Sequence, residues 1–142
     1  MSLANWFTAD HQQCDALWAE VEDAGTDLAK VRAAFATFDA RLRRHLAMEE
    51  DVLFPAFDQS SGMHGMGPTA MMRIEHTQMR GLLDQMARSA TAREVTNLGD
   101  TLLMVIQQHN AKEEGMLYPM AEQMLDWSAL EPLLARHKAV AT

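Results

Sequence analysis

The sequence predicts an all-α protein: an up-down-up-down four-helix bundle with a short C-terminal helix, residues 1–142 forming one domain. Three observations predict it. Apolar residues recur at spacings of three and four along four long stretches, as in amphipathic helices. No run alternates apolar and polar residues as a half-buried strand would, and the densest Gly and Pro group, Gly62 to Pro68, falls between two of the stretches. The chain also repeats at long range: His11 and His76 are 65 positions apart, and His45 and His109 are 64. Two helix hairpins joined by a loop follow from that repeat, and short links make hairpin neighbours antiparallel.

The first helix is expected to begin near Thr8 or Asp10, either of which can cap it, and to run to about Asp23 before Gly25. Its apolar stripe reads Phe7, His11, Cys14, Trp18 and Val21. The second is expected from Thr26-Asp27 to about Phe57, with the stripe Leu28, Val31, Phe35, Phe38, Leu42, His45, Glu49, Val52 and Ala56. Pro55 should kink or loosen its last turn. Gln59 to Pro68 reads as an irregular loop, and Pro68 suits the first turn of the third helix. That helix carries Met72, His76, Met79, Leu83 and Met86 in line. Ser89 to Thr91 separates it from the fourth, whose row is Val95, Leu98, Leu102, Val105, His109, Glu113, Met116, Met120 and Met124. Ser128 to Glu131 reads as a capping box opening a closing helix to about Lys138.

Composition excludes several classes. A net charge of −8 is wrong for a non-specific nucleic-acid binder, which needs a basic surface. No stretch of about 18 apolar residues is present, so no membrane span is expected. The first residues lack the charged and apolar regions of a secretory leader, and the lone Cys14 allows no internal disulfide. Both give a cytoplasmic expectation.

The residues that carry chemistry interrupt the stripes. His45-Leu-Ala-Met-Glu49-Glu-Asp-Val-Leu-Phe54-Pro55 and His109-Asn-Ala-Lys-Glu113-Glu-Gly-Met-Leu-Tyr118-Pro119 are two copies of one motif. At about 3.6 residues per turn, His and the first Glu share a helix face. The other two helices each place one histidine, His11 or His76, on the inward stripe. A buried Glu is costly unless it is paired or bound to metal. Four imidazoles and two carboxylates in matching halves therefore point to a metal centre, and six ligands fit two ions better than one. Imidazole and carboxylate without thiolate suit iron, manganese, zinc or copper. No catalytic residue is assigned. Asp10, Glu50, Glu75 and Glu114 are either solvated or outer partners of the histidines. Arg80 either pairs with such an acid or reaches solvent. Cys14 reads as a small buried residue with a redox-responsive thiol as the alternative, and His137 as a surface residue.

This order of lone His, His-x-x-x-Glu, lone His, His-x-x-x-Glu resembles the hemerythrin-like (HHE cation-binding) domain family, over about residues 5 to 125. The resemblance implies a non-haem centre of two iron ions, oxo- or hydroxo-bridged. Its ligands would be His11, His45, Glu49, His76, His109 and Glu113, with Glu49 and Glu113 as bridges. It implies binding of O2 or NO for storage, transport or sensing. Redox or iron-donor repair chemistry is the alternative, and a zinc-binding structural bundle the second; zinc and manganese are the other candidate ions. The family's oxygen carriers have two histidines one turn apart on the third helix; here Met72 and Arg80 flank His76 at that spacing. His64 in the loop is a candidate to replace the missing imidazole. Monomer and homodimer both remain open.

Overall fold

A computed structural model of the protein describes residues 1–140. All regular elements among the described residues are helical: α1 (Leu3–Asp23), α2 (Leu28–Met48), α3 (Phe54–Ser61), α4 (Pro68–Ala87), α5 (Ala92–Lys112), α6 (Tyr118–Met124) and α7 (Trp127–Val140). Two π-helical turns, Glu49–Leu53 and Glu113–Leu117, join α2 to α3 and α5 to α6 without a break. The molecule is a helical bundle in which α1 packs mainly on α2, and α4 on α5.

The caps explain the helix starts, and two differ from expectation. The α1 helix begins five residues before Thr8, because the Ser2 hydroxyl accepts the Asn5 N–H and lets Leu3 and Phe7 reach the core. Asp27 caps α2 and Thr91 caps α5 as their residue types suggest. At α7 the capping box does not form. Instead the Asp126 carboxylate accepts both the backbone N–H and the hydroxyl of Ser128, two residues earlier than the pattern indicates. Pro55 does not end its helix, which continues to Ser61 and stops at Gly62 with φ +74. A proline ring clashes with the carbonyl four residues back and offers it no N–H. Widening the turn ahead of it relieves both problems: Phe54 N–H bonds Glu49 O, five residues back, and Tyr118 N–H bonds Glu113 O in the same way.

Two apolar clusters fill the bundle. One gathers Trp18, Val21, Val31, Phe35, Phe38, Leu42, Leu83 and Leu102. The other gathers Phe7, Met48, Leu53, Phe54, Phe57, Leu117 and Tyr118, with Leu130 and Leu134 of α7 covering it. Each long helix meets one cluster, then its His or His and Glu, then the other cluster. The polar residues thus lie in a layer between two dry cores. In the first core, Trp18 packs against Gly99, where a Cβ would overlap the indole ring. Gly99→Ala is therefore expected to destabilise the fold by about 1–3 kcal/mol despite alanine's better helix propensity. Urea unfolding that finds Gly99→Ala as stable as wild type would refute this packing.

Candidate metal centre

His11 comes from α1, His45 from α2, His76 from α4 and His109 from α5, while Glu49 and Glu113 open the two π-turns. All six are buried, and both glutamates are 0% exposed. Their donor atoms form two groups that share Glu113: Glu49, His76, His109 and Glu113, and His11, His45 and Glu113. Within each group every donor atom lies within 4.8 Å of the others, close enough to hold an ion. Nε2 of His76 and Nε2 of His109 are 3.2 Å apart. His11 Nε2 is 3.1 Å from Glu113 Oε1, His109 Nε2 is 3.1 Å from Glu113 Oε2, and His76 Nε2 is 3.1 Å from Glu49 Oε1.

The outer nitrogens explain why these lone pairs point inward. Each imidazole donates Nδ1–H to a carboxylate on another element. His45 bonds Asp10 at 2.8 Å, His76 bonds Glu50 at 2.7 Å, His109 bonds Glu75 at 2.9 Å and His11 bonds Glu114 at 2.7 Å. That fixes the ring angle and aims Nε2 at the centre, where a proton or an ion can take it. The acids are anchored in turn. Arg80 donates to both oxygens of Glu50 at 3.1 and 3.2 Å, Lys112 donates to Glu75, and Arg44 lies 3.6 Å from Asp10. Burial would raise the carboxyls of Asp10, Glu50 and Glu75, but these partners hold all three below the usual range.

The electrostatics of the inner shell call for positive charge. Nε2 of His45, Oε1 of Glu49 and Oε2 of Glu113 are buried without a hydrogen-bond partner, despite short distances to neighbours, and with the imidazoles neutral acceptor faces acceptor there. Such orphaned acceptors are expensive unless a cation sits between them. Burial, then the Glu113 charge, pushes the Glu49 carboxyl up. Burial would raise Glu113 too, but hydrogen bonds with Glu49, His109 and His11 hold it below the ordinary range. Burial lowers His45. For His11 and His76 burial also pulls down, yet hydrogen bonds to Glu113 and to Glu49 respectively outweigh it and raise both to about 9. Protons and metal ions therefore compete for the same nitrogens.

One more residue lies in this shell: Tyr118. Its hydroxyl donates to Glu49 Oε2 at 2.6 Å and lies 2.9 Å from Glu113 Oε1 and 3.2 Å from His11 Nε2. Burial, followed by the charges of Glu113 and Glu49, pushes the phenol well above its ordinary value. The signal was in the repeat, where Tyr118 matches Phe54 and is the only aromatic exchange between the copies. Phe54 instead stacks near His76, ring centres 5.2 Å apart. His64 is exposed in the link between α3 and α4 and belongs to neither donor group. His137 is partly exposed and bonds the exposed Asp51 at 2.8 Å. Cys14 is buried, and burial pushes its thiol up to about 12, which makes it a packing residue at neutral pH.

The description hemerythrin HHE cation binding domain matches residues 2–121 as a family. The chain belongs to the hemerythrin HHE cation-binding family. No curated protein and no solved structure gives a match. The HHE domain is a metal-binding domain, and the buried His and Glu residues of this one are arranged so that they could hold metal. Among the described residues, no helix of this HHE protein is long and apolar enough to cross a membrane.

A small cavity lies beside the cage. It has a volume of about 10 Å³, room for one water-sized molecule, and is walled by His11, His45, His109, Cys14, Leu46 and Met79 among others. Asp15, Trp18, Leu103, Ile106 and Asn110 line both it and an open cleft of about 500 Å³ between α1 and α5.

Proposed function

We propose that this protein is a di-iron HHE protein that binds O2 or NO. His11, His45, His76 and His109 would hold the two ions, with Glu49 and Glu113 bridging them. The order in which the helices meet the two cores supports an up-down-up-down four-helix bundle, and we assign the chain, 1–142, as one such domain working in the cytoplasm on the strength of its lone Cys14.

The observation that carries the reading is the set of orphaned acceptors, His45 Nε2, Glu49 Oε1 and Glu113 Oε2, converging on one dry layer. Bound iron would supply a redox-active Lewis acid with positions left for an outside ligand. The chain does the rest. Asp10, Glu50, Glu75 and Glu114 orient the imidazoles, and the apolar cores above and below exclude bulk water. The cavity beside His11, His45 and His109 suits a diatomic molecule and is too small for an organic substrate. Protein purified anaerobically should carry about two iron ions per chain and gain a visible band with air that reverses on degassing. Stoichiometric zinc from iron-replete cells, not displaceable by iron, would sink the reading.

One observation favours a second reading, a di-iron redox protein that consumes peroxide or O2. Tyr118 places a phenol O–H against both glutamates, so a proton can pass at its oxygen. Tyr118→Phe separates the two readings. Under the binding reading, iron content and reversible oxygenation persist. Under the redox reading, peroxide turnover falls by about tenfold or more at unchanged iron content.

A further inference from the structure

On the side of the bundle away from the α1–α5 cleft, Gln13, Ala16 and Leu17 of α1, Arg41 and Arg44 of α2 and Lys138 of α7 line a pocket of about 410 Å³. Among the described residues no acidic side chain lines it, although the chain carries 20 Asp and Glu against 12 Lys and Arg. The cations are poorly matched by their own neighbours. Arg44 is 4% exposed, yet among the described residues its acidic contact is Asp10 alone, at 3.6 Å, and its Nε and Nη2 have no hydrogen-bond partner there. Asp10 is already committed to His45 through its other oxygen. Arg41 donates to the neutral Gln13, and its Nε is likewise without a partner. Lys138 Nζ sits over the Trp6 ring, 5.2 Å from its centre. Three positive charges thus converge on one concavity, and among the described residues Asp10, behind Arg44, is the one carboxylate paired with any of them.

We propose that this pocket binds a small oxyanion of the phosphate class, free phosphate or the phosphoryl group of a small ester. A phosphate carries the charge that offsets Arg44 and the acceptors that Arg41 and Lys138 can meet as a two-sided clamp. The two guanidiniums come from α2 and the ammonium from α7. The volume admits an oxyanion with some of its water, or a phosphomonoester with a short organic tail. Arg44 lies against Asp10, which also holds His45, so an occupant on Arg44 is linked to the metal centre through these two side chains.

Equilibrium dialysis of the metal-loaded protein against radiolabelled inorganic phosphate, and separately against glycerol phosphate, tests this. At least one of the two binds saturably at about one per chain, more weakly as salt rises. The compound that binds more tightly identifies the source. Arg41→Ala with Lys138→Ala lowers the association constant by about tenfold or more, with metal content and helicity unchanged, and Arg41→Lys with Lys138→Arg retains binding. Arg44 is left in place because its buried side chain also serves the fold. Failure of both compounds to saturate overturns the proposal. So does undiminished binding in the double alanine variant, the result expected if phosphate sat on the metal instead.

Discussion

Replacing Glu49 and Glu113 together by alanine lowers bound iron to less than about a tenth of the wild-type amount, while the protein stays helical. The reason lies in the two donor groups. The first has four members, Glu49, His76, His109 and Glu113, and falls to two imidazoles. The second has three, His11, His45 and Glu113, and also falls to two. The fold should survive, because alanine is the best helix former and two fully buried acidic groups disappear. The main local loss is the acceptor for Tyr118, worth about 1–3 kcal/mol. A second readout follows. Chelation should lower the melting temperature of the wild type, since a ligand at about 100 times its Kd contributes about 2.7 kcal/mol. It should leave the double variant unmoved. Iron at the wild-type level in the double variant would show that these glutamates are not ligands.

Metal affinity should climb steeply between about pH 6 and pH 9. His11 and His76 are raised to about 9, so both hold protons at neutral pH in the chain by itself. An ion must displace them, and each displaced proton makes apparent affinity rise about tenfold per pH unit until the pH passes 9. The metal-free fold runs the opposite way. A histidine whose pKa is raised by folding contributes stability that is complete below its unfolded value near 6.5 and is lost as pH rises through about 9. Alkaline conditions therefore weaken the metal-free fold and strengthen metal uptake together. Competition titrations with cobalt, with released protons followed by an indicator dye, measure the first limb, and urea unfolding of chelated protein the second. An affinity that is flat across this range would mean that the two imidazoles are already deprotonated.

The repeat made the six inner residues legible, because a stripe that turns polar at matching offsets in both halves has few explanations. Their outer partners were only half legible. Asp10 and Glu75 precede His11 and His76 in sequence, yet they bond His45 and His109 on the neighbouring helices. Glu50 and Glu114 follow the inner glutamates but reach across to His76 and His11. Adjacency identified these acids as candidates and could not say whom they serve. Arg80 posed the same choice, and its answer came from Glu50 in space. The π-turns were not legible: the 3.6 pattern has no symbol for an inserted residue, and Pro55 read as a disruption when it marks where the inserted residue is absorbed. Tyr118 was visible as a mismatch between copies, but one hydroxyl in an apolar row announces nothing until its neighbours are known.

The four Nδ1 bonds have a consequence for assembly. From α1, Asp10 reaches α2; from the first π-turn, Glu50 reaches α4; from α4, Glu75 reaches α5; from the second π-turn, Glu114 returns to α1. The links form a closed hoop around the bundle. Rows of Met, Leu and Phe can repack when one helix slides by a turn, and methionine is the most forgiving of them. The hoop cannot, because a slide of about 5.4 Å carries an acid past its imidazole and breaks two links together. The polar layer therefore works as an indexing pin. It sets the vertical alignment that greasy side chains leave loose, so that the bundle closes in the one register that aims every imidazole at the centre.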